Sequence, residues 1–411
     1  MIKRQEYLSS LIGFRDKKLI KVVTGIRRCG KSTLLELFQE YLRNDGVADD
    51  QIISINLEEG EHSDIETSKQ LYDFVNEKII PTKKMYIFID EVQLVTDFQK
   101  AINSLYVKKN CDVYVTGSNA YLLSGELATL LSGRYVEIKM LPLSFKEYVS
   151  TFNEEIKPEL RYMYLKSLYE TYTQNSAFPY ALEIENLKDK RQYLQGIYDT
   201  VVLKDISFRR KISDTSMLQS VTRFMFDNIG NLCSTKKIAD TMTSSGRKIS
   251  VHAVESYLTA LTDCFVLYKI GRYDVKGKEY LKTGDKYYVA DIGLRYALLG
   301  NKPVDMGHIL ENVVFLELAR RGYHIHIGKV RNAEVDFIAF GERGEEYYQV
   351  AYTVIDSDGA TLKRELAPLE AIKNHSPKYL LTMDNTPLIL HNGIQQINVL
   401  DWLLNNQPRL I

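Results

Sequence analysis

The stretch Gly25-Ile26-Arg27-Arg28-Cys29-Gly30-Lys31-Ser32, followed by Thr33, decides how the chain is read. It comes directly after the apolar run Leu19–Thr24, of strand length, and opens a helical pattern that continues to about Arg43. Glycines at its two ends let the backbone wrap an anion, and the amides of the following helix N-terminus point at that anion. In the pattern GxxxxGK[ST], Lys31 is expected to reach the β- and γ-phosphates of ATP, and the Ser32 hydroxyl to ligate Mg²⁺. Gly25, Arg27, Arg28, Cys29, Gly30, Lys31, Ser32 and Thr33 form the expected nucleotide-binding set.

Outward from this loop, Lys84-Met85-Tyr86-Ile87-Phe88-Ile89-Asp90-Glu91 is a buried-strand run ending in two carboxylates, 59 residues from Lys31 to Asp90. Asp90 is expected to hold the Mg²⁺ shell and Glu91 to act as general base on the attacking water. The strand candidate Ile52–Leu57 lies between the two motifs, and Asp112–Thr116 and Tyr135–Lys139 follow, mostly separated by helical patterns. This alternation implies a mainly parallel sheet with helices on its faces. An inserted strand between the loop and the Asp-Glu pair resembles the order of the additional-strand, catalytic-glutamate P-loop ATPases. Gly117-Ser118-Asn119 then offers Asn119 or Ser118 as sensor of the γ-phosphate or the lytic water, although both also suit a plain turn. Arg134, ahead of the last strand, is expected either to contact the γ-phosphate, in cis or from a neighbouring subunit, or to form a surface ion pair. The expected catalytic set is Glu91, Lys31, Asn119 and Arg134. Ser144 and Glu147, at capping-box spacing, start the helix that closes residues 1–150 as an ATPase core.

The whole chain has 411 residues, with 53 Lys+Arg against 53 Asp+Glu, 45% hydrophobic and 26% charged. At about 100–200 residues per domain, several domains are expected. The composition suits a globular chain with real cores and excludes disorder, collagen and a coiled-coil rod. No segment approaches about 18 uncharged apolar residues, and no signal-peptide run follows Met1, so a cytoplasmic protein with no membrane partner is expected. Cys29, Cys111, Cys233 and Cys264 lie far apart without ligand spacing, as in a reducing compartment. Charge is uneven along the chain. Residues 217–306 hold 13 basic and 9 acidic side chains, whereas residues 307–411 hold 10 and 13. An electrostatic partner is therefore sought at 217–306.

Residues 151–216 read as a helical, Tyr-rich lid or connector, with Tyr162, Tyr164, Tyr169 and Tyr172 at spacings typical of core. Residues 217–306 read as three helices (Met217–Asn228, Thr235–Met242 and one from Ser250) and two strands flanking Val275-Lys276-Gly277-Lys278, the outline of a winged helix. Its hairpin mixes Lys269, Arg272, Lys276, Lys278, Lys282 and Lys286 with Tyr268, Tyr273 and Tyr280, which suits contact with phosphates. The third helix exposes His252, Glu255, Ser256 and Thr259, hardly a basic reading head, so DNA and a protein both stand as partners. Residues 307–411 begin with a helix and continue with strands at Tyr323–Ile327, Glu334–Phe340 and Tyr347–Thr353. Here Glu311, Asp336 and Gln349 resemble the outline of a PD-(D/E)XK nuclease core. In that core a helix Glu and a strand Asp bind Mg²⁺, and E-x-K supplies a third ligand and a lysine. Gln349-x-Ala351 replaces E-x-K, so the site reads as catalytically degenerate. Lys329, Arg331 and Lys363 are the nearest candidates in sequence for a migrated cation.

With these pieces in order, nearly the whole chain resembles the bacterial and archaeal AAA-type P-loop ATPases, STAND-like and of archaeal type, that carry a C-terminal restriction-endonuclease-like domain of unknown function. Gly25–Thr33, Asp90-Glu91, Thr116–Asn119, Gly133-Arg134, Lys286–Leu294 and Glu311–Asp336 carry the resemblance. Asn175-Ser176-Ala177-Phe178-Pro179 departs from it, because relatives usually have a Gly-Gly pair before the proline. The resemblance implies an α/β chain of four parts, ATPase core, connector, winged helix and nuclease-like domain. It further implies an ATP-hydrolysing switch that needs Mg²⁺ and acts on DNA or a protein partner, as a monomer or a homo-oligomer. The rival expectations are a module that holds ATP with little turnover and an ATP-gated Mg²⁺ nuclease.

Overall fold

Strands form where the chain offers short, continuous apolar runs, and in the first 142 residues these runs are separated by helices. In this computed structural model, residues 2–120, 131, 133–152, 156–206, 212, 214–300, 302 and 305–405 are described; the Lys282 side chain lies outside this description. Two units result, Met1–Pro142 with Asp263–Phe265, and Leu143–Thr262 with Val266–Ile411.

In the first unit the order is α1 (Gln5–Phe14), β1 (Ile20–Thr24), α2 (Lys31–Asn44), β2 (Ile52–Asn56), α3 (Ser68–Glu77), β3 (Met85–Asp90), α4 (Phe98–Val107), β4 (Cys111–Gly117) and β5 (Tyr135–Lys139). The sheet runs β2-β3-β4-β1-β5, and every pairing in it is parallel. Its central strands β1, β3 and β4 are buried along their whole length, while the edge strands β2 and β5 are only partly covered. That is the pattern of a parallel sheet with helices on both faces. Val22, Ile55, Leu71, Ile87, Ile102 and Val113 belong to one of its apolar clusters. β4 lies between β1 and β3, whereas β2, the strand between the two motifs in sequence, lies at the edge of the sheet. The ends of β1, β3 and β4 that carry the loop, the Asp-Glu pair and Ser118-Asn119 are therefore neighbours.

The second unit continues with α5 (Phe145–Val149), α6 (Arg161–Asn175), α7 (Leu187–Tyr198), α8 (Thr215–Asp227), α9 (Thr235–Ser244), α10 (Val251–Asp263), β6 (Leu267–Asp274), β7 (Glu279–Val289), α11 (Ile292–Leu299) and α12 (Met306–Arg320). β8 (His324–Val330), β9 (Ala333–Gly341), β10 (Gly344–Ala351), α13 (Ala360–Glu370), β11 (Lys378–Thr382), β12 (Ile389–His391), β13 (Ile394–Asn398) and α14 (Val399–Leu403) complete it. Ser144 and Glu147 form the expected reciprocal cap on α5. The hairpin β6–β7 turns at 275–278, as read from the sequence. It is not a free wing. β6 pairs in parallel with β8 through Arg272↔Ile327, Tyr273↔Gly328 and Asp274↔Lys329. One eight-stranded sheet results, in the order β12-β13-β11-β10-β9-β8-β6-β7. The physical reason is the alternation of the hairpin: Tyr273 and its neighbours offer an apolar face that needs cover, and Tyr273 packs edge-on against Phe340 of β9.

Candidate functional site

The phosphate-type loop leaves the C-terminal end of β1 and passes straight into α2. Gly25 lies at φ +153°, and a Cβ there would fall 2.1 Å from the Met140 carbonyl oxygen, so no side chain fits. Gly30, at φ +102°, is the N-cap of α2 and brings no side chain to cap it, which leaves the first amides of the helix available to an anion. Behind the loop, Arg4 donates to the carbonyls of Cys29 at 2.9 Å and Leu141 at 2.6 Å, and Leu141 N–H donates to the Tyr7 hydroxyl at 3.1 Å. Sequence reasoning missed Arg4, because its partners lie up to 137 residues away. Cys29 is fully buried, and burial pushes its thiol up, so it serves as packing. Arg27 pairs with Glu58, whereas Arg28 and Ser32 are exposed and Thr33 is half-buried.

Lys31 is buried, and its ammonium donates to the Gly25 and Ile26 carbonyls at 3.1 and 3.4 Å. It also lies 3.5 Å from Glu91 Oε1, so the loop lysine and the second carboxylate of the Asp-Glu pair meet. Asp90 and Glu91 are both buried at the end of β3. The Thr116 hydroxyl of β4 binds both residues, donating to Asp90 and accepting from the Glu91 N–H at 2.9 Å. Glu91 has the left-handed φ of +53°. Burial pushes its carboxyl up; Lys31, Gln93, Ser118 and Arg27 together outweigh that and hold it below the ordinary glutamate value. Ser118 and Asn119 are buried just past β4. Gln93 was not singled out from the sequence, yet its amide contacts Glu91; its place two residues after the Asp-Glu pair is the signal that was available. A buried ammonium, two buried carboxylates and helix N-terminal amides with no side-chain cap, beside a glycine that has no room for a side chain, are groups suited to a nucleoside triphosphate with Mg²⁺.

Arg134 is a correction in cis. It precedes β5, and its carbonyl accepts from the N–H of Ile20, the first residue of β1. The loop leaves the other end of that strand, about 16 Å away for five residues. The guanidinium instead donates to Asn103 at 2.5 Å and lies over the Tyr106 ring. Arg134 is therefore no cis ligand of the γ-phosphate.

In the second unit, Glu311 of α12, Asp336 of β9 and Gln349 of β10 do come together. Asp336 Oδ2 accepts from Val350 N–H at 2.9 Å, and Gln349 Oε1 accepts from Asp336 N–H at 3.4 Å. The cation beside them is Lys286 of β7, rather than Lys329, Arg331 or Lys363. Its ammonium lies 2.8 Å from Glu311, 2.9 Å from Glu334 and 3.7 Å from Asp336. Tyr288 donates to Glu311 at 2.5 Å, and Gln349 donates to Glu365 at 2.8 Å. Burial favours the neutral amine of Lys286, but Glu311, Asp336 and Glu334 overcome it and raise the ammonium well above its ordinary value. Burial, with the charge of Glu311, pushes Asp336 well up. Lys286 thus leaves the set of hairpin cations expected to touch phosphate, and Lys269 is paired with Asp285 at 3.0 Å. Lys276 and Lys278, in the turn, are exposed.

Among the described residues no helix is long and apolar enough to cross a membrane. The sequence family described as an AAA domain matches residues 17–149, and a domain of unknown function matches residues 166–305. A Walker-type ATPase of Pyrococcus abyssi is similar in fold, with a TM-score of 0.50 at 14% identity over 73% of this chain and 96% of that one. An uncharacterized protein of Haemophilus influenzae is 41% identical over 98% of this chain and 99% of its own length. One from Methanocaldococcus jannaschii is 30% identical over 93% of this chain and 85% of its own. A P-loop ATPase fold at residues 17–149, joined to likeness along almost the full length of both relatives, places the chain in their family of AAA-domain proteins.

Proposed function

We propose that the chain is an ATP-hydrolysing switch whose nucleotide state controls a DNA- or protein-binding winged helix, residues 217–306, and a catalytically inactive nuclease-like domain, residues 307–411. One observation carries the reading: Lys31, Asp90 and Glu91 converge, buried, at the C-terminal ends of β1 and β3, with 3.5 Å between Lys31 and Glu91. The residues Gly25 to Thr33 hold the phosphates, with Lys31 against the β- and γ-oxygens. Ser32 and Asp90 hold Mg²⁺, which neutralises phosphate charge when bound. Glu91 accepts the proton of the attacking water, and Asn119 or Ser118 senses the terminal phosphate. Arg134 contacts the γ-phosphate from a neighbouring subunit of a homo-oligomer.

The test is turnover. Lys31→Ala should lose most nucleotide affinity, because its charge is desolvated against the loop. Glu91→Gln should keep ATP and lose about 10²-fold or more in rate. An unchanged rate in Glu91→Gln removes the base assigned here. Turnover measured against single-stranded, duplex and branched DNA separates a DNA-linked switch from a protein-linked one.

For the nuclease-like domain, inactivity is supported by Ala351, which offers no cation, and by Lys286, whose ammonium is engaged by three carboxylates. The same lysine favours a second reading, in which it replaces the missing E-x-K lysine in a metal-assisted cleavage. In that case DNA is cut in Mg²⁺ or Mn²⁺, and both Asp336→Ala and Lys286→Met abolish the cutting. No cleavage by the parent protein sustains the first reading.

A further inference from the structure

The carboxylate assigned as base is held by a neighbour that has no role in the scheme above. Gln93 lies in the single 3-10 turn Val92–Leu94 that follows β3. Its amide nitrogen donates to Glu91 Oε2 and lies 3.3 Å from the Ser118 hydroxyl. An ionised carboxylate only accepts, so the group facing Glu91 is the NH₂, and the other amide atom is the oxygen. That oxygen, Gln93 Oε1, is buried and receives no hydrogen bond from any described residue. A buried acceptor without a donor is costly, and at functional sites it marks a place where a donor arrives later. Glu91 is meanwhile fixed on its other sides. Its Oε1 faces Lys31, and its backbone N–H is held by Thr116 in a left-handed conformation.

Resting on the reading of Glu91 as general base, we propose that Gln93 is the positioning residue of the hydrolytic site. Its NH₂ ties the Glu91 carboxylate to the Ser118 hydroxyl, and its unpaired oxygen is a second acceptor for the attacking water. Water has two O–H groups. With one directed to Glu91 and the other to Gln93 Oε1, its oxygen lone pairs stay free, and one of them can attack. In hydrolysis the water oxygen bonds to the γ-phosphorus, the bond from that phosphorus to the ADP oxygen breaks, and the water proton passes to Glu91. Gln93 neither gains nor loses an atom. The arrangement also links the base to the sensor strand, because Ser118 directly follows β4 and Thr116 within that strand binds Asp90 and Glu91.

The test uses Gln93→Met, close in shape but without hydrogen bonds, with Gln93→Glu, Glu91→Ala and the double variant Glu91→Ala/Gln93→Met. Three quantities are measured on the full chain: affinity for a fluorescent ATP analogue, thermal unfolding without nucleotide, and ATP turnover. Gln93→Met should bind the analogue within about twofold of the parent and lose roughly 10- to 100-fold in kcat, because misplacing a group by about 1 Å costs up to 10². Gln93→Glu, which sets a second carboxylate against Glu91, should fall at least as far. Without nucleotide, the thermal shifts of Glu91→Ala and Gln93→Met should not add in the double variant, since the two side chains share one hydrogen bond. An inactive Glu91→Ala beside a Gln93→Met of parental kcat, or thermal shifts that add, overturns the inference and leaves the base in place. A Glu91→Ala of parental kcat overturns the base, and the inference with it.

Discussion

At Lys286 one ammonium answers three carboxylates, so its removal is the sharpest residue-level test of the second unit. Lys286→Met leaves Glu311, Glu334 and Asp336 facing one another with their counter-charge gone. Breaking a buried pair from one side typically costs about 3–5 kcal/mol. Urea unfolding at neutral pH should show a loss of that order. The sign of the pH dependence follows from the carboxyls. Without the lysine the folded Asp336 carboxyl, already pushed up by burial and by Glu311 in the parent, rises further above its unfolded value. The folded variant therefore takes up protons ahead of the unfolded chain, and its deficit should shrink as pH falls from 8 toward the ordinary carboxylate range. A deficit that is constant with pH would mean that Lys286 acts by packing alone. Gly25, Lys31, Asp90 and Glu91 were legible in the sequence because the loop that contains the first two and the strand that runs into the last two are local patterns. Lys286 was not. In sequence it is one more basic residue of a Lys- and Tyr-rich hairpin, and only tertiary pairing separates it from the exposed Lys276 and Lys278. Arg134 loses only its cis role, and the expected parallel sheet already carried the sign: a residue just before one parallel strand lies at the end opposite a loop that leaves the strand beside it.

The five parallel strands were legible as elements because burial on both faces makes each a continuous apolar run. The place of the hairpin in the larger sheet was not, since pairing of β6 with β8 spans some 50 residues and leaves no local signature. Another long-range contact sets the approach of α11 to the end of α6. A Cβ on Gly293 would lie 2.5 Å from the N, Cα and Cβ atoms of Ser176. Ser176 itself has φ +86° and ψ +147°, a backbone region that favours glycine. Asp291, which caps α11 and also accepts from Ala177 N–H at 2.6 Å, is pushed up to about 6 by burial. Gly293→Ala should therefore lower the unfolding free energy by about 1–3 kcal/mol, the usual cost of overpacking. Denaturant titration measures it, and affinity for an ATP analogue should stay unchanged.

At the scale of the molecule, zero net charge conceals a basic segment, and the exposed turn at Lys276 and Lys278 is one of the places where that excess reaches solvent. If the proposed winged helix touches DNA there, log affinity should fall with log salt at about −0.9 per phosphate neutralised. Replacing Lys276 and Lys278 together by Ala should flatten that slope by up to about two. An unchanged slope, measured by fluorescence anisotropy in both nucleotide states, would assign the segment to a protein partner instead. The sequence divided the chain into four regions by pattern. Contacts join the last three in one unit, because the hairpin and the C-terminal strands share a sheet.

That shared sheet bears on how such a chain can be recombined. A crossover between 306 and 307, the seam read from the sequence, would cut the partnership of β6 with β8. The upstream piece would keep β6 with an open row of amides and carbonyls, a template for pairing with any other strand. The downstream piece would inherit Glu311, Glu334 and Asp336 with their ammonium left behind on β7. Neither half is a transferable cassette, so the hairpin and the strands after α12 can pass between proteins only as one block.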